Sequence, residues 1–341
     1  MLDLTFSVFA DFHYKKGMYA ATVADLEAIL KRASDENVDF IIHAGDFSND
    51  YVGSPEVVNL YLDNPYKLPA YGIYGNHELE SRGNSMETVN KFLTNDKNVI
   101  WGGDSVGYYY FDKNGYRIVC TDTNYSWNEK LQVWEHNKTA SWGEPVGNKV
   151  PNSLGPVQLE WLERVLTDAA KQKKSCIVLG HASFTERAKA SPDTEAVLKI
   201  FQKVNQIEEK TVILCINGHY HTNRVEMKDG IVYFDVNAVL NGSWELKKEH
   251  HYTKEHTFVY EEYDKEGRKT GECERKLTEL WQSVNTHYFA SPLDAVVKIS
   301  DECIEITGSE TTWRYGVEPE SYYDPDIMPK ISSGRFCFEK R

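Results

Sequence analysis

Short apolar runs alternate with segments of helical period along the first two thirds of the chain. Leu2–Ala10, Val38–Ala44, Pro69–Tyr74, Ser175–Gly180, Thr211–Ile216 and Ile231–Val236 read as buried strands. Between them, Ala21–Asn37 puts Leu26, Ile29, Leu30 and Ala33 on one helical face. Ser54-Pro55-Glu56 opens a second helix, with an N-cap and proline at its first position, that runs on through Val57, Val58 and Leu62. Gly155–Lys171 is a third helix, with Leu159, Leu162, Val165 and Leu166 on one stripe and Trp161 outside it; Glu195–Val204 is a fourth. Tyr108–Phe111 and Tyr116–Thr121 flank Asp112-Lys-Asn-Gly115, the pattern of a hairpin.

Residues 124–153 break the pattern: they are rich in Asn, Gly and Trp and show no period, which in a compact domain marks a functional or disordered loop. Trp127, Trp134 and Trp142 in it suit either stacking on a base or sugar or anchoring the loop to the core. After about residue 244 the chain becomes crowded with Lys, Glu and His. Thr257–Tyr263 and Thr270–Leu277 then predict an exposed hairpin, and Ala295–Ile299 with Cys303–Ile306 a closing hairpin of the core. The expected division is a catalytic core over 1–243, an insertion with the exposed hairpin over 244–287, closing strands over 288–313, and an irregular tail over 314–341. Alternating strands and helices predict an α/β layered fold with its functional groups at the carboxyl ends of the strands.

What ends each apolar strand carries the chemistry. The strands run into Ala10-Asp11-Phe12-His13, Gly45-Asp46-Phe47, Gly75-Asn76-His77-Glu78, Gly180-His181 and Gly218-His219-Tyr220-His221. Five of the eleven histidines fall in these blocks, so a chance scatter of turns and caps is a poor account of them. Four blocks open with glycine, which lets the backbone turn sharply. The i, i+2 spacing of Asp11/His13 and of His219/His221 would send each pair to one side of an extended segment. Carboxylate, imidazole and amide together suit borderline divalent ions such as Mn, Fe or Zn. Eight such side chains exceed one ion's needs but suit two ions ~3.5–4 Å apart, the arrangement used for in-line displacement at phosphorus.

Bulk properties narrow the partners. With 341 residues and 41% hydrophobic content the chain can bury a large core. A formal net charge of −14 argues against binding nucleic acid through the overall field, while leaving room for a site made positive by bound metal. The six cysteines lie far apart, with no C-x-x-C, so neither a zinc ribbon nor a redox pair is expected. The opening Met1–Ala10 reads as a strand rather than a signal peptide, and no apolar run approaches the ~18 residues of a membrane span; a cytoplasmic location is expected.

The ordered blocks D-x-H, G-D, G-N-H-E, G-H and G-H-x-H resemble those of the calcineurin-like metallophosphoesterases, over roughly residues 1–240. The helix containing Gln158-Leu-Glu-Trp-Leu162 is similar to one in that family's phosphodiesterase and purple-acid-phosphatase branches. The resemblance implies two packed mixed β-sheets flanked by helices, a four-layer sandwich. It implies that Asp11, His13 and His221 hold one metal, that Asn76, His181 and His219 hold the other, that Asp46 bridges both, and that His77 faces the substrate. Glu78 stands where the family often has Asp, and Asn49 where the purple acid branch has a metal-binding Tyr, which argues against an Fe–tyrosinate site. Expected, then, is a hydrolase of small phosphorylated substrates, phosphodiester or nucleotide in type, working by attack of a hydroxide shared by two ions. A phosphomonoesterase and a non-catalytic metal-binding scaffold are the alternatives, and the sequence leaves the oligomeric state open.

Overall fold

The computed structural model describes residues 3–14, 21–49, 54–79, 90–104, 106–136, 152–185, 191–240, 257–263, 268–276, 288–314 and 328–338. In chain order the elements are β1 (Leu4–Phe9), α1 (Val23–Asp35), β2 (Phe40–His43), α2 (Pro55–Leu62), β3 (Ala70–Gly72), β4 (Ile100–Trp101), β5 (Tyr109–Lys113), β6 (Tyr116–Cys120), β7 (Tyr125–Asn128) and β8 (Val133–His136). They continue with α3 (Gly155–Lys171), β9 (Ser175–Leu179), α4 (Thr194–Ile207), β10 (Val212–Asn217), β11 (Arg224–Lys228), β12 (Ile231–Asp235), β13 (Thr257–Tyr263), β14 (Lys269–Lys276), β15 (Ala295–Ile299), β16 (Cys303–Gly308) and β17 (Gly334–Cys337).

Two mixed sheets face each other. The first has the order β17-β16-β15-β1-β2-β3, with β1, β2 and β3 parallel and the last three strands of the chain antiparallel. The second has the order β11-β12-β10-β9-β6-β5-β4, parallel from β12 to β6. Alternation along each strand builds two cores. Ile118 and Cys120 of β6, like Ile177 and Leu179 of β9, join the cluster between the sheets, with Phe6, Phe40 and Phe111. Val119 and Val178 point the other way, into a second cluster with Leu162, Leu166, Val197 and Phe201 of α3 and α4. Helices α1 and α2 contribute Leu26, Ile29, Leu30, Val57 and Val58 to the first cluster, which makes the expected four-layer α/β sandwich. Phe111 stacks on Tyr71 with ring centroids 3.9 Å apart, a direct contact across the two sheets.

Helix α1 shows how sequence sets the elements. Thr22 and Asp25 form a capping box, each side chain bonding the other's backbone N–H, ahead of the Leu26/Ile29/Leu30/Ala33 face.

Three readings of the sequence need correction. Trp161 is buried, not outside the helix stripe, because the β4–β5 edge extends over it and Tyr108 packs against its ring at 4.7 Å; Leu159 is only partly covered. The aperiodic stretch contains the β7–β8 hairpin, and Trp127 and Trp134 are cross-strand partners there, with Trp134 lying over Gly155. The irregular tail supplies β17, the edge of the first sheet. Trp142, the charged stretch at 244–256 and the hairpin tip at 264–267 lie outside the described residues. Among the described residues no helix is long and apolar enough to cross a membrane.

Candidate metal centre

The strand-end blocks meet where the carboxyl ends of β1, β2, β9 and β10 converge. Backbone hydrogen bonds zip the blocks together: Asp11 N to Gly45 O at 3.0 Å, His13 N to Asp46 O at 2.8 Å, and Gly218 N to His181 O at 3.1 Å. The side chains do not converge by strand alternation, as the spacing suggested. Asp11, His13, Asp46, His219 and His221 all have positive φ, 54°, 51°, 50°, 75° and 53°. These left-handed residues follow the strands and swing their side chains inward at a cost of about 1–3 kcal/mol each, a strain typical of functional sites. Of the glycines that open the blocks, only Gly45 has positive φ. Gly75 is there for close approach, since a Cβ would overlap Asp46 Oδ1.

Among the described residues three groups of ligand-type atoms result, each with its atoms within 4.8 Å of one another: Asp11/His13/His221, Asp46/His181/His219 and His13/Asp46/His77. His221 Nε2 lies 3.3 Å from Asp11 Oδ1 and 3.0 Å from His13 Nε2. His181 Nε2 lies 3.1 Å from Asp46 Oδ2 and 4.0 Å from Asp11 Oδ1. Asp46 also approaches His13 and His77, at 3.8 and 3.9 Å, so its carboxylate belongs to both halves of the centre. The His77 N–H donates to Asp46 Oδ1 at 2.8 Å, and its ring stands edge-on to His13 with centroids 4.6 Å apart.

Hydrogen bonds at the far side of two rings fix which nitrogen faces inward. The Ala44 carbonyl can only accept, so His181 Nδ1 donates to it at 2.8 Å; the Asn49 carbonyl oxygen accepts from His13 Nδ1 at 2.9 Å in the same way. A neutral ring so held presents a bare Nε2 to the centre, as a metal-ligating histidine does. Among the described residues, Asn76 Oδ1 is buried without a hydrogen-bond partner, which costs roughly 1–3 kcal/mol unless a cation lies beside it. The donor set therefore fits divalent ions.

The electrostatics agree. Burial, then His77, holds the His13 pKa down to about 3, and burial, then His181, does the same at His219. Burial opposes ionisation of Asp11 and Asp46, but His221 beside Asp11 and His181 beside Asp46 outweigh it and hold both carboxyls below the usual range. Burial would also lower His181, yet Asp46 and Asp11 push it up to about 10. Two buried carboxylates call for positive charge at this point, and a proton and a metal ion compete for the same Nε2.

The family model for calcineurin-like phosphoesterase matches residues 4–223, which span every one of these side chains. The chain belongs to the calcineurin-like phosphoesterase family. The matched span carries the candidate dimetal site described above. A manganese-dependent ADP-ribose/CDP-alcohol diphosphatase of Arabidopsis thaliana is 25% identical over 213 residues, 54% of this chain; the match spans 65% of that protein's length. A dimetal phosphatase from Danio rerio superposes with a TM-score of 0.56 at 13% identity, covering 89% of this chain and 95% of the other, a likeness of fold.

Residues that strand-end reading did not single out as functional hold this calcineurin-like site in shape. Glu78 is fully buried, and its carboxylate accepts N–H groups from Asp46 at 3.2 Å, Ser48 at 3.3 Å, Gly75 at 2.6 Å and Phe47. Its longer reach thus ties the Asp46 turn to the Gly75–Asn76 turn. Burial and the nearby Asp46 push the Glu78 pKa up to about 8. Asn49, in the position of the purple-acid tyrosine, orients His13 instead. Asp122, fully buried just past β6, accepts from His136 Nε2 at 2.7 Å and from Asn124 Nδ2 at 2.8 Å, and the Asn124 amide also donates to Gly75 O at 3.2 Å. The only signal for this chain of contacts was that His136 lies in the aperiodic stretch; its partner is 14 residues away in sequence and adjacent only in the fold. His43 is buried in β2 and stacks on Phe47 at 4.9 Å.

Proposed function

We propose that this protein is a dinuclear metal-dependent hydrolase acting on a phosphodiester or phosphoanhydride of a nucleotide-type substrate. The observation that carries the reading is the pair of ligand groups, Asp11/His13/His221 and Asp46/His181/His219, joined through the Asp46 carboxylate. In this reading Asp11, His13 and His221 would hold one ion and Asn76, His181 and His219 the other, with Asp46 shared between them. Bound divalent ions supply an acidified water and charge neutralisation at phosphoryl oxygens. The chain's own residues do the rest. Asp46 fixes the separation of the two halves, while Asn49 and the Ala44 carbonyl keep His13 and His181 in the tautomer with an inward lone pair. His77, nearly buried beside Asp46, steadies the transferring phosphoryl group or protonates the leaving oxygen.

The name of the Arabidopsis relative, a diphosphatase with manganese dependence, supports a diphosphate linkage and manganese as the first metal to try. The test is a panel of bis-aryl phosphate, mono-aryl phosphate, ADP-ribose and a CDP-alcohol, assayed on metal-stripped protein with Mn, Fe or Zn added back. Metal-restored hydrolysis of the diester and diphosphate substrates, exceeding that of the monoester, is expected. Preference for the monoester would make the protein a phosphomonoesterase, and full metal loading without turnover on any member would make it a scaffold.

A further inference from the structure

Strand β17 lies beyond the residues matched by the family and forms one edge of the first sheet. It pairs antiparallel with β16 in the register Cys303↔Cys337, Ile304↔Phe336, Glu305↔Arg335 and Ile306↔Gly334. Phe338 N donates to Glu302 O at 2.9 Å, which makes Glu302/Phe338 a hydrogen-bonded pair of the ladder. Hydrogen-bonded and non-hydrogen-bonded pairs alternate, so Cys303/Cys337 is a non-hydrogen-bonded pair and Glu305/Arg335 is the next of that kind. Such partners have Cα atoms ~4.5 Å apart and side chains leaving the same face. Glu305 and Arg335 behave accordingly, forming an ion pair at 3.0 Å. A disulfide needs Cα atoms ~4.4–6.8 Å apart, so the two cysteines meet the backbone requirement without chain movement.

We propose that Cys303 and Cys337 are a thiol-oxidation site, closed into a cross-strand disulfide by small-molecule disulfides of the glutathione class. Both are free thiols here, Cys337 exposed and Cys303 buried beneath it, which sets the order of events. The Cys337 thiolate attacks one sulfur of the oxidant, forming a mixed disulfide and expelling one glutathione thiolate. The Cys303 thiolate then attacks Cys337 Sγ, forming the protein disulfide and expelling the second glutathione thiolate; the two thiol protons end on the two glutathiones. Overall, two protein thiols are oxidised and one disulfide is reduced to two thiols. Selectivity follows from the other four cysteines: burial pushes the Cys120 and Cys176 thiols up to about 12 and Cys215 higher still, and neither these three nor the partly buried Cys273, opposite Tyr260, faces a cysteine across its ladder.

The bond would staple the C-terminal strand that follows a segment bearing on the metal rim. Asn237 Nδ2 donates to Met328 O at 2.7 Å, and Asn223, just beyond His221, exchanges hydrogen bonds with Ser332 at 2.6 and 2.9 Å. An exposed cross-strand bond is of the reducible kind, so the staple is reversible.

Full-length protein is incubated with glutathione disulfide, alkylated without reduction, digested and mapped by mass spectrometry. The expected product is a linked Cys303–Cys337 peptide that disappears with dithiothreitol, while Cys303→Ser halts the reaction at a Cys337–glutathione adduct. An adduct on Cys337 of the unaltered protein with Cys303 still open to the alkylating agent after denaturation would overturn the proposal, as would linkage to any other cysteine. The readout is mass alone, so it stands or falls independently of phosphoesterase activity.

Discussion

Asp46 and His77 sit next to each other at the centre and predict different phenotypes. Asp46 approaches His13, His77 and His181, so Asp46→Asn removes the charge shared by the candidate ligand groups; metal content and hydrolysis should fall together. His77→Ala should leave the metal bound while cutting turnover by roughly 10²–10⁴. Unchanged turnover in metal-loaded His77→Ala would remove that ring from the chemistry. Glu78→Ala leaves buried backbone N–H groups of Asp46, Phe47, Ser48 and Gly75 without their acceptor. At roughly 1–3 kcal/mol for each orphaned donor, urea denaturation should report a loss of more than about 3 kcal/mol. The polar residues at the strand ends were legible in the sequence because an apolar run that stops at Asp or His is conspicuous. Their left-handed backbone was not, since αL geometry at histidine leaves no mark in the spacing. The convergence of His219 and His221 followed from a local turn, where the sequence suggested strand alternation.

Elements show the same division between local and distant signals. Arg117 of β6 bolts the hairpin and helix layers together: its guanidinium bonds Asp112 at 2.9 and 3.2 Å and Asp168 of α3 at 2.8 Å, while its own side chain is only 3% exposed. Burial opposes ionisation of Asp112, but Arg117 and then Lys174 lower its pKa below 3.8. A carboxylate with a depressed folded pKa contributes stability that is full above its unfolded value, ~3.9, and fades as pH falls through the folded one. Because the Asp112 side chain is 35% exposed, Asp112→Asn should cost only about 1–2 kcal/mol at pH 7. That deficit should shrink below pH ~4; a deficit independent of pH would contradict the assignment. His136 anchors the β7–β8 hairpin through Asp122, a hydrogen bond to a charged group worth about 1.5–3 kcal/mol. His136→Ala should therefore speed limited proteolysis in that hairpin by roughly tenfold or more. Strands that are buried throughout and carry an apolar run, such as β6 and β12, were legible from their residues. Among the strands missed are β17, because Gly334-Arg-Phe-Cys337 offers too few alternations to count; β11, because Arg224–Lys228 is a partly exposed edge strand; and the β7–β8 pair, because its pairing is between aromatic side chains rather than along an apolar face.

Across the whole molecule, sheet order turns a scattered set of residues into one rim. Asp11 and Asp46 come from neighbouring parallel strands of the first sheet, and His181 and His219 from neighbouring parallel strands of the second. The bridge between Ala10 and Ala238 and the bond from Gly218 N to His181 O hold these ends together. The fold class was readable because strand–helix alternation is a global pattern carried by many residues at once. The role of the last strands was readable only in part, because nothing in a short edge strand says which sheet it joins. The account rests on two ions being held where the sheets meet, and manganese content per chain, measured after reconstitution of the stripped protein and removal of free ion, tests it most directly. About two manganese ions per chain, reduced in Asp46→Asn, is the expected result; one ion or none in the unaltered protein would contradict it.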